Sequence, residues 1–301
     1  QGTGLSFYTN REDTIAKQDM TVELSRINLK EFRRILPYMP DMEGWIGAEA
    51  HYIDSGPYMM VSSDLRIDEF KYEGSALGNW ELGGVYLPGE AKDHHLDAYI
   101  RHDGEEIAHL GGIYLPAEEG TGSLSADIAF EHFPLNVANP FVPDRMVELD
   151  GDIDGTLSMK GDPAKPLLNG ELALDSVTFF MPEMSAMFRF DNEPVQVVNS
   201  KMMFKEFDIF TKGKTPFTIN GEVDFSDLER TAVNLKMHAE NYELLNAPRT
   251  KRAMVYGKMY VDFNATLRGP VEELVMRGNM NILGKTNVTY VLKDSPLTVN
   301  D

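Results

Sequence analysis

One acidic stretch of the chain has the residue types and the spacing of a calcium loop. Asp150, Asp152, Asp154 and Gly155 follow the pattern D-x-D-x-D-G with which such a loop begins. The loop also needs a bidentate Glu at its twelfth position and a helix on each side. The twelfth position is Gly161, and both flanks alternate as strands do. We therefore interpret the three aspartates as the solvated face of a strand.

Histidines and adjacent acids are the other candidates for chemistry. Four histidines lie close together in the sequence, but their spacing fits no usual ligand pair, and the chain has no cysteine to complete a zinc site. A glycosidase needs two carboxylates in one cleft, and no pattern here places a pair such as Glu105–Glu106 in that way. We predict no catalytic residue, no metal and no cofactor, and a chain that is not an enzyme. The histidines are His94, His95, His102 and His109.

The clearest pattern in the chain is a hairpin with long strands. Over 149–161 an apolar residue or glycine alternates with a polar residue at every step. Side chains of a strand point to opposite faces with period two, so one face is apolar and the other is polar and exposed to solvent. Gly161, Pro163 and Pro166 then turn the chain, and a second alternating strand follows over 168–174.

A similar hairpin recurs about a hundred residues later. Alternation over 255–269 leads to a proline turn and then to a second alternating strand over 274–282. The glycines around the two turns have the same spacing, and repeats at a fixed period indicate a repeat architecture. The matching pairs, each nine residues apart, are Gly161 with Gly170 and Gly269 with Gly278.

Most of the remaining sequence also alternates with period two, which predicts an all-β fold. The apolar face of these strands must be shielded from water, and the sequence predicts few helices that could pack on it. The sheet must therefore curl onto itself, pair with another sheet or hold something apolar. The further predicted strands include 44–53, 58–68, about 70–76, 79–87, 122–131 and 217–225.

Two short segments depart from the strand pattern, and one motif is duplicated. A helix is predicted over 28–36, where Asn28 can cap the first turn. A proline-rich connector or short helical turn is predicted over 133–144. The motif GGVYLPGE at 83–90 returns almost unchanged as GGIYLPAE at 111–118. Connectors followed by strands suggest three units, over 1–132, 133–240 and 241–301.

Composition excludes several classes of partner. The net charge of −20 and a pI near 4.7 argue against binding to a phosphate backbone. No apolar run reaches the 18 or so residues that a membrane helix needs. The chain opens at Gln1 without a methionine and stops at Asp301 in mid-pattern, so we expect it to be an excerpt of a longer protein.

Residues 133–174 resemble the repeats of the TamB-like group (translocation and assembly module) within the AsmA-like family. The order FPL…NPF.P, L.G.I.G.L.M.G and P.LNGEL.L carries the resemblance, which is weaker over 253–282 and before 132. Its residues are Phe133, Pro134, Leu135, Asn139, Pro140, Phe141, Pro143, Gly151, Gly155, Gly161, Pro166, Leu168, Gly170 and Leu172.

The resemblance implies a fold and a function. The fold would be a continuous curved, taco-shaped or U-shaped antiparallel sheet with an apolar groove. The function would be transport of phospholipid between the inner and outer membranes and support of outer-membrane protein assembly. The location would be the periplasm of a diderm bacterium, with the parent chain anchored in the inner membrane. The partners would be acyl chains and, through regions outside this chain, an outer-membrane barrel protein.

Inward positions of the alternating strands are the predicted lipid-groove residues. Two alternatives stay open. One is a closed all-β binding or scaffold module, such as an adhesin or a carbohydrate-binding module, without a lipid path. The other is an all-β carbohydrate enzyme. The predicted groove residues are Leu149, Ile153, Leu157, Met159, Leu172, Leu174, Phe217, Ile219, Val223, Phe225, Val261 and Phe263.

Overall fold

A computed structural model of the chain confirms the all-β prediction. Strands make up 73% and helical turns 7% of the residues that it describes. Within these ranges no helix has the length and the apolar character needed to cross a membrane. The described residues are 4–9, 17–56, 59–89, 93–117, 121–142, 146–182, 186–227, 230–249 and 255–291.

Eighteen strands in the described part of the chain form one antiparallel sheet, in which most strands pair with their neighbours in sequence. Strands β11 and β12 both pair with β13, and β17 and β18 both pair with β16. The strands are β1 (Gly4–Thr9), β2 (Gln18–Asn28), β3 (Met42–Asp54), β4 (Met59–Tyr72), β5 (Ser75–Pro88), β6 (His94–His102), β7 (Glu105–Leu115), β8 (Ser123–Pro134), β9 (Glu148–Gly161), β10 (Leu167–Met181), β11 (Ala186–Phe190), β12 (Val195–Val198), β13 (Lys201–Phe210), β14 (Phe217–Asp224), β15 (Ala232–Ala247), β16 (Val255–Pro270), β17 (Val275–Ile282) and β18 (Asn287–Tyr290).

Short helical turns occur at both places where the sequence predicts them, and a further 3₁₀ turn, Val271–Glu273, follows β16. The predicted helix at 28–36 is a 3₁₀ turn, Leu29–Glu31, followed by one α-helical turn, α1 (Phe32–Ile35). The Asn28 side chain caps it by accepting a hydrogen bond from the Lys30 N–H at 3.0 Å. The connector predicted at 133–144 contains the 3₁₀ helix Leu135–Phe141, and its last two residues lie outside the described part.

The chain divides into two compact units. Unit 1 comprises Gln1–Phe133 and Asp154–Gly170, and unit 2 comprises Pro134–Ile153 and Glu171–Asp301. Strands β9 and β10 each contribute residues to both units. The division into three sequence units stays a prediction about the repeats.

Register gives unit 1 one apolar face and one face that is mainly polar but also carries exposed apolar residues such as Leu87. Leu65 lies opposite Ala48 on β3 and Leu82 on β5, whereas the preceding residue, Asp64, lies opposite Glu49. Directly opposed residues share a face, so the alternation continues from strand to strand. Members of the apolar face include Met20, Val22, Leu24, Ile46, Ala48, Ala50, Val61, Ser63, Leu65, Leu82, Gly84, Tyr86, Leu96, Ala98, Ile100, Leu110, Gly112, Leu124, Ala126 and Ile128.

Bulges keep apolar residues on one face where the alternation in the sequence is interrupted. On β4, Ile67 and Phe70 are three residues apart, and the register shifts between them. Glu69 lies in this step with a positive φ of 51°, in the left-handed region. The extra residue returns Phe70 to the apolar face. For this reason β4 is one strand over Met59–Tyr72, and the prediction of separate strands at 58–68 and 70–76 is wrong.

Three of the bulges, and the left-handed residue His132 on β8, share a hydrogen bond that compensates for the interrupted ladder. The backbone N–H of the left-handed residue donates to an Asn or Asp side chain on a neighbouring strand. This contact supplies an acceptor for a backbone donor that the bulge removes from the ladder. The pairs are Glu69 with Asn79 Oδ1 at 2.9 Å, His132 with Asp154 Oδ1 at 2.8 Å, Glu206 with Asn220 Oδ1 at 2.9 Å and Asn241 with Asp262 Oδ1 at 2.7 Å.

Unit 2 has a packed aromatic core on its apolar face. The rings of Phe179 and Phe188 stack with centroids 4.5 Å apart, and Phe207 contacts both Phe190 and Phe204 edge-on. These phenylalanines come from the Met- and Phe-rich segment 176–213, whose role the sequence did not indicate. The buried members of the core are Ala186, Phe188, Val195, Phe207, Ile209, Leu245 and Ala247.

The hydrogen bond at the Asn241 bulge is open to a direct test. Replacing its acceptor, Asp262→Ala, should lower the free energy of unfolding by about 1–2 kcal/mol, because the Asn241 N–H loses a charged partner. Asp262→Asn should recover most of this loss, since Asn79 and Asn220 serve the same role at other bulges. Urea unfolding measures the change. Asp127→Ala, on the exposed polar face of β8, is the control, and an equal loss there would contradict the assignment.

Candidate functional site

The apolar face of unit 1 is open at the centre of the sheet. Leu82 on β5 and Leu96 on β6 are 47% and 43% exposed. Both strands have paired neighbours on either side, so this exposure belongs to the face of the sheet and not to an edge. Half-exposed leucines in central strands are unusual for an antiparallel sheet whose apolar face is packed on a core.

A row of small residues crosses this face perpendicular to the strands. Ala50, Ser63, Gly84 and Ala98 lie directly opposite one another on β3, β4, β5 and β6. With neighbouring strands about 4.8 Å apart, the row is roughly 14 Å long. Side chains that are larger at all positions but one border it, which makes the row a shallow trough. The bordering residues are Ala48, Leu65, Leu82 and Ile100 on one side and Tyr52, Val61, Tyr86 and Leu96 on the other.

An apolar cavity of about 160 Å³ lies on the same face, next to the trough. His94 stands between two tyrosine rings at its rim, with ring centroids 5.5 Å from Tyr86 and 5.7 Å from Tyr114. The Tyr86 hydroxyl and His94 Nδ1 are hydrogen-bonded to each other. The Tyr114 hydroxyl donates to the carbonyl oxygen of Thr121 at 2.9 Å. The lining residues are Tyr86, His94, Leu96, Leu110, Gly112, Tyr114, Leu124, Ala126 and Met159.

The duplicated motif accounts for the two tyrosines. Its copies lie on β5 and β7, which flank β6 and run in the same direction, so Tyr86 and Tyr114 approach His94 from opposite sides. Gly112 lets Ala126 pack directly against its backbone, because a Cβ at that glycine would lie 2.4 Å from the Ala126 Cβ. The sequence shows the duplication, but only the register shows that it forms a cavity. The last residues of the copies, Glu90 and Glu118, lie outside the described part.

The polar face of unit 1 carries a hydrogen-bonded network around Tyr99. The Tyr99 hydroxyl donates to Glu81 Oε1 at 3.0 Å, and Asp64 Oδ2 lies 3.4 Å away. Its ring covers Gly83, where a Cβ would fall 2.3 Å from the ring, and the Arg101 guanidinium stacks 4.2 Å from the ring centre. The Tyr99 ring thus lies against the Gly83 backbone and contacts the Arg101 guanidinium. Burial is the main cause that raises the pKa of Tyr99, followed by the hydrogen bond to Glu81.

Carboxylates lie beside this network in a polar concavity of about 720 Å³. Glu23, Glu49 and Asp64 lie directly opposite one another on β2, β3 and β4. The Arg66 Nε lies 3.6 Å from Asp64 Oδ1, and His51 is paired with Asp19 at 2.7 Å. The three carboxylates thus form a row on the polar face of the sheet, with the Arg66 guanidinium beside Asp64.

The residues first considered for chemistry fall in strands or beside them. Asp150, Asp152 and Asp154 belong to β9. His95 is paired with Asp93, and His109 with Asp97 and Glu106. His102 Nε2 lies 2.9 Å from the carbonyl oxygen of Leu77. Among the residues that the structure describes, no three His, Asp or Glu side chains are grouped so that they could hold a metal ion.

The predicted groove residues fall in both units. In unit 1, Leu157 is only 7% exposed, and Met159 lines the apolar cavity. In unit 2, Leu172 and Val261 are 9% and 1% exposed, so they have little surface to offer a ligand. The rings of Phe217 and Phe263 are 5.8 Å apart, and Leu174 and Ile219 pack on the aromatic core with Phe217.

The remaining predicted groove residues are also in unit 2. Val223 lies opposite Met202 and Val233. Phe225 follows β14, and its N–H donates to the Ser200 carbonyl oxygen at 3.0 Å. Leu149 exchanges two hydrogen bonds with the Asn139 side chain, and Ile153 is half-buried on β9. The open surface in unit 1 thus involves residues, such as Leu82 and Leu96, that the sequence did not single out.

Comparisons with known proteins give no relative for this chain. A scan against protein-family models, a search of curated proteins and a search of solved structures each find no match.

Ionisation of Tyr99 gives a prediction about pH. Because the pKa of Tyr99 is raised, its neutral form contributes stability below pH 10, and this is lost as the pH rises through the raised value. Tyr99→Phe should remove this dependence. The difference in absorbance at about 295 nm between wild type and variant should show one phenol ionising above the ordinary tyrosine pKa. A difference curve that matches N-acetyl-tyrosinamide would contradict the network.

Proposed function

We propose that the chain is a non-enzymatic lipid-binding segment whose apolar sheet face in unit 1 receives phospholipid acyl chains. The observation that carries the proposal is the open apolar face at Leu82 and Leu96, in the middle of a paired sheet. Soluble proteins rarely leave a contiguous apolar surface of more than a few hundred Å² without a partner. An acyl chain would cover such a surface without needing polar contacts.

The distribution of polar groups also favours a lipid over a polar ligand. The trough is lined by Ala50, Gly84 and Ala98 together with the hydroxyl of Ser63, so it offers few groups to hydrogen-bond a sugar or peptide. Charged side chains on the described strands of unit 1, for example Glu49, lie on the opposite face, where their charge favours solubility.

The resemblance to TamB-like repeats supports a more specific version of the proposal. In that version the chain is part of a periplasmic protein that conducts phospholipid between the inner and outer membranes and supports outer-membrane protein assembly. An outer-membrane barrel protein would be a partner through other regions of the parent protein.

A closed binding or scaffold module is the second candidate, and the aromatic core of unit 2 favours it for that part of the chain. There Phe179, Phe188 and Phe207 fill the apolar face with one another. When side chains pack against one another over an apolar face, they cover it, and no lipid is needed to do so. On this basis the lipid-binding surface belongs to unit 1, and unit 2 contributes a packed sheet.

Photo-crosslinking distinguishes the two candidates. Benzoylphenylalanine replaces Leu82 or Leu96 on the apolar face, and the chain is incubated with vesicles of phosphatidylethanolamine and phosphatidylglycerol. We expect phospholipid adducts from both positions, detected by mass spectrometry, because these side chains would lie against the acyl chains.

Matched controls lie next to each position in the chain. Glu81 and Asp97 occupy the polar face, so the same replacement there should give few or no adducts. Adducts from all four positions in equal yield would indicate non-specific contact with vesicles. No adducts from Leu82 and Leu96 would favour the closed module.

A further inference from the structure

The cavity at His94 extends the proposed function to a particular part of the lipid. We propose that it binds the terminal methyl end of one acyl chain, whose preceding carbons lie in the trough. This inference rests on the proposed function, but it concerns a site that lipid binding elsewhere on the face does not require.

The lining of the cavity is suited to a hydrocarbon and not to water. Most of its wall consists of aliphatic side chains, a glycine and a methionine. The hydroxyls of Tyr86 and Tyr114 already have partners, in His94 and the Thr121 carbonyl oxygen respectively. A buried water needs two to four polar partners, and a charged group without a partner would be costly here. A hydrocarbon needs neither.

The size of the cavity fits the end of a chain. An apolar cavity of about 150 Å³ in another protein stays dry and binds benzene, a guest with six carbons. The cavity at His94 has a volume of about 160 Å³. It therefore has room for several terminal carbons of an acyl chain, but not for a whole chain or a headgroup.

The cavity also continues the trough. Ala98, the last residue of the small-residue row on β6, lies opposite Leu110, which lines the cavity. Leu96 borders the trough and lines the cavity as well. An acyl chain that follows the trough from β3 to β6 thus reaches the cavity without leaving the apolar face.

Methyl NMR of the full chain tests the inference. Methionine methyl groups are labelled with ¹³C, and decanoyl-lysophosphatidylcholine is added below its critical micelle concentration. Met159 reports on the cavity, and Met20, opposite Tyr52 on the apolar face, reports on the rest of that face. We expect a saturable shift of the Met159 resonance. Benzene, added separately, probes whether the cavity accepts an apolar guest of its size.

Filling the cavity should remove only one of the two signals. Ala126→Leu places a larger side chain in the cavity and should weaken binding seen at Met159 at least tenfold, while Met20 still responds. Ala129→Leu is the matched control on the polar face of the same strand, and it should leave both responses unchanged. Leu124→Trp is the second variant if Ala126→Leu does not fold, because Leu124 lines the cavity, is partly exposed and does not border the trough.

Each outcome decides between the two proposals. A response at Met20 without one at Met159 overturns the cavity inference and leaves lipid binding in place. A response at Met159 to benzene but not to the lysolipid also overturns it, since the cavity then takes small guests only. No response of either methionine to the lysolipid counts against lipid binding as a whole.

Discussion

The structure depends on keeping the register of a long antiparallel meander. A slip of one residue would exchange the two faces of a strand, and because most strands pair with the next, neighbouring strands would be affected too. The bulges at Glu69, Glu206 and Asn241 solve this problem locally. Each adds one residue between two apolar residues that are three positions apart in the sequence. The backbone N–H that would otherwise lose its partner donates a hydrogen bond to a side chain of the next strand.

This constraint gives the outward acids and amides a structural role. The sequence predicts only that Asp154 and Asp262 lie on the solvent-exposed face of a strand. In the structure each accepts a hydrogen bond from the backbone N–H of a residue in the left-handed region. Asn79 and Asn220 do the same without a charge, so the geometry and not the negative charge is what the bulge requires. Part of the high acidity of the chain therefore comes from positions that hold the register.

The sequence predicts the strands well and the sites poorly. Period-two alternation is local, so β9 and β16 could be located from their own residues. The break at 68–70 could not be interpreted, because a bulge and a strand end both interrupt the alternation. The cavity depends on which residues of β5, β6 and β7 stand opposite each other, and that register follows from bulges and turns across the whole sheet. The duplicated motif was the visible signal of the cavity, but its meaning required the pairing.

Side-chain volume at a few positions decides whether an apolar face is open or filled. Both units use the same alternation, and their strands pair in the same way. In unit 1 the positions at the centre of the face hold Gly84 and Ala98, which leave a trough. In unit 2 comparable inward positions hold Phe217 and Phe263, whose rings meet. Because protein interiors pack densely, rings of this size leave no space for a guest, whereas a row of small residues does. Two units with the same backbone pattern can therefore differ in whether the apolar face is open, as in unit 1, or filled by side chains, as in unit 2.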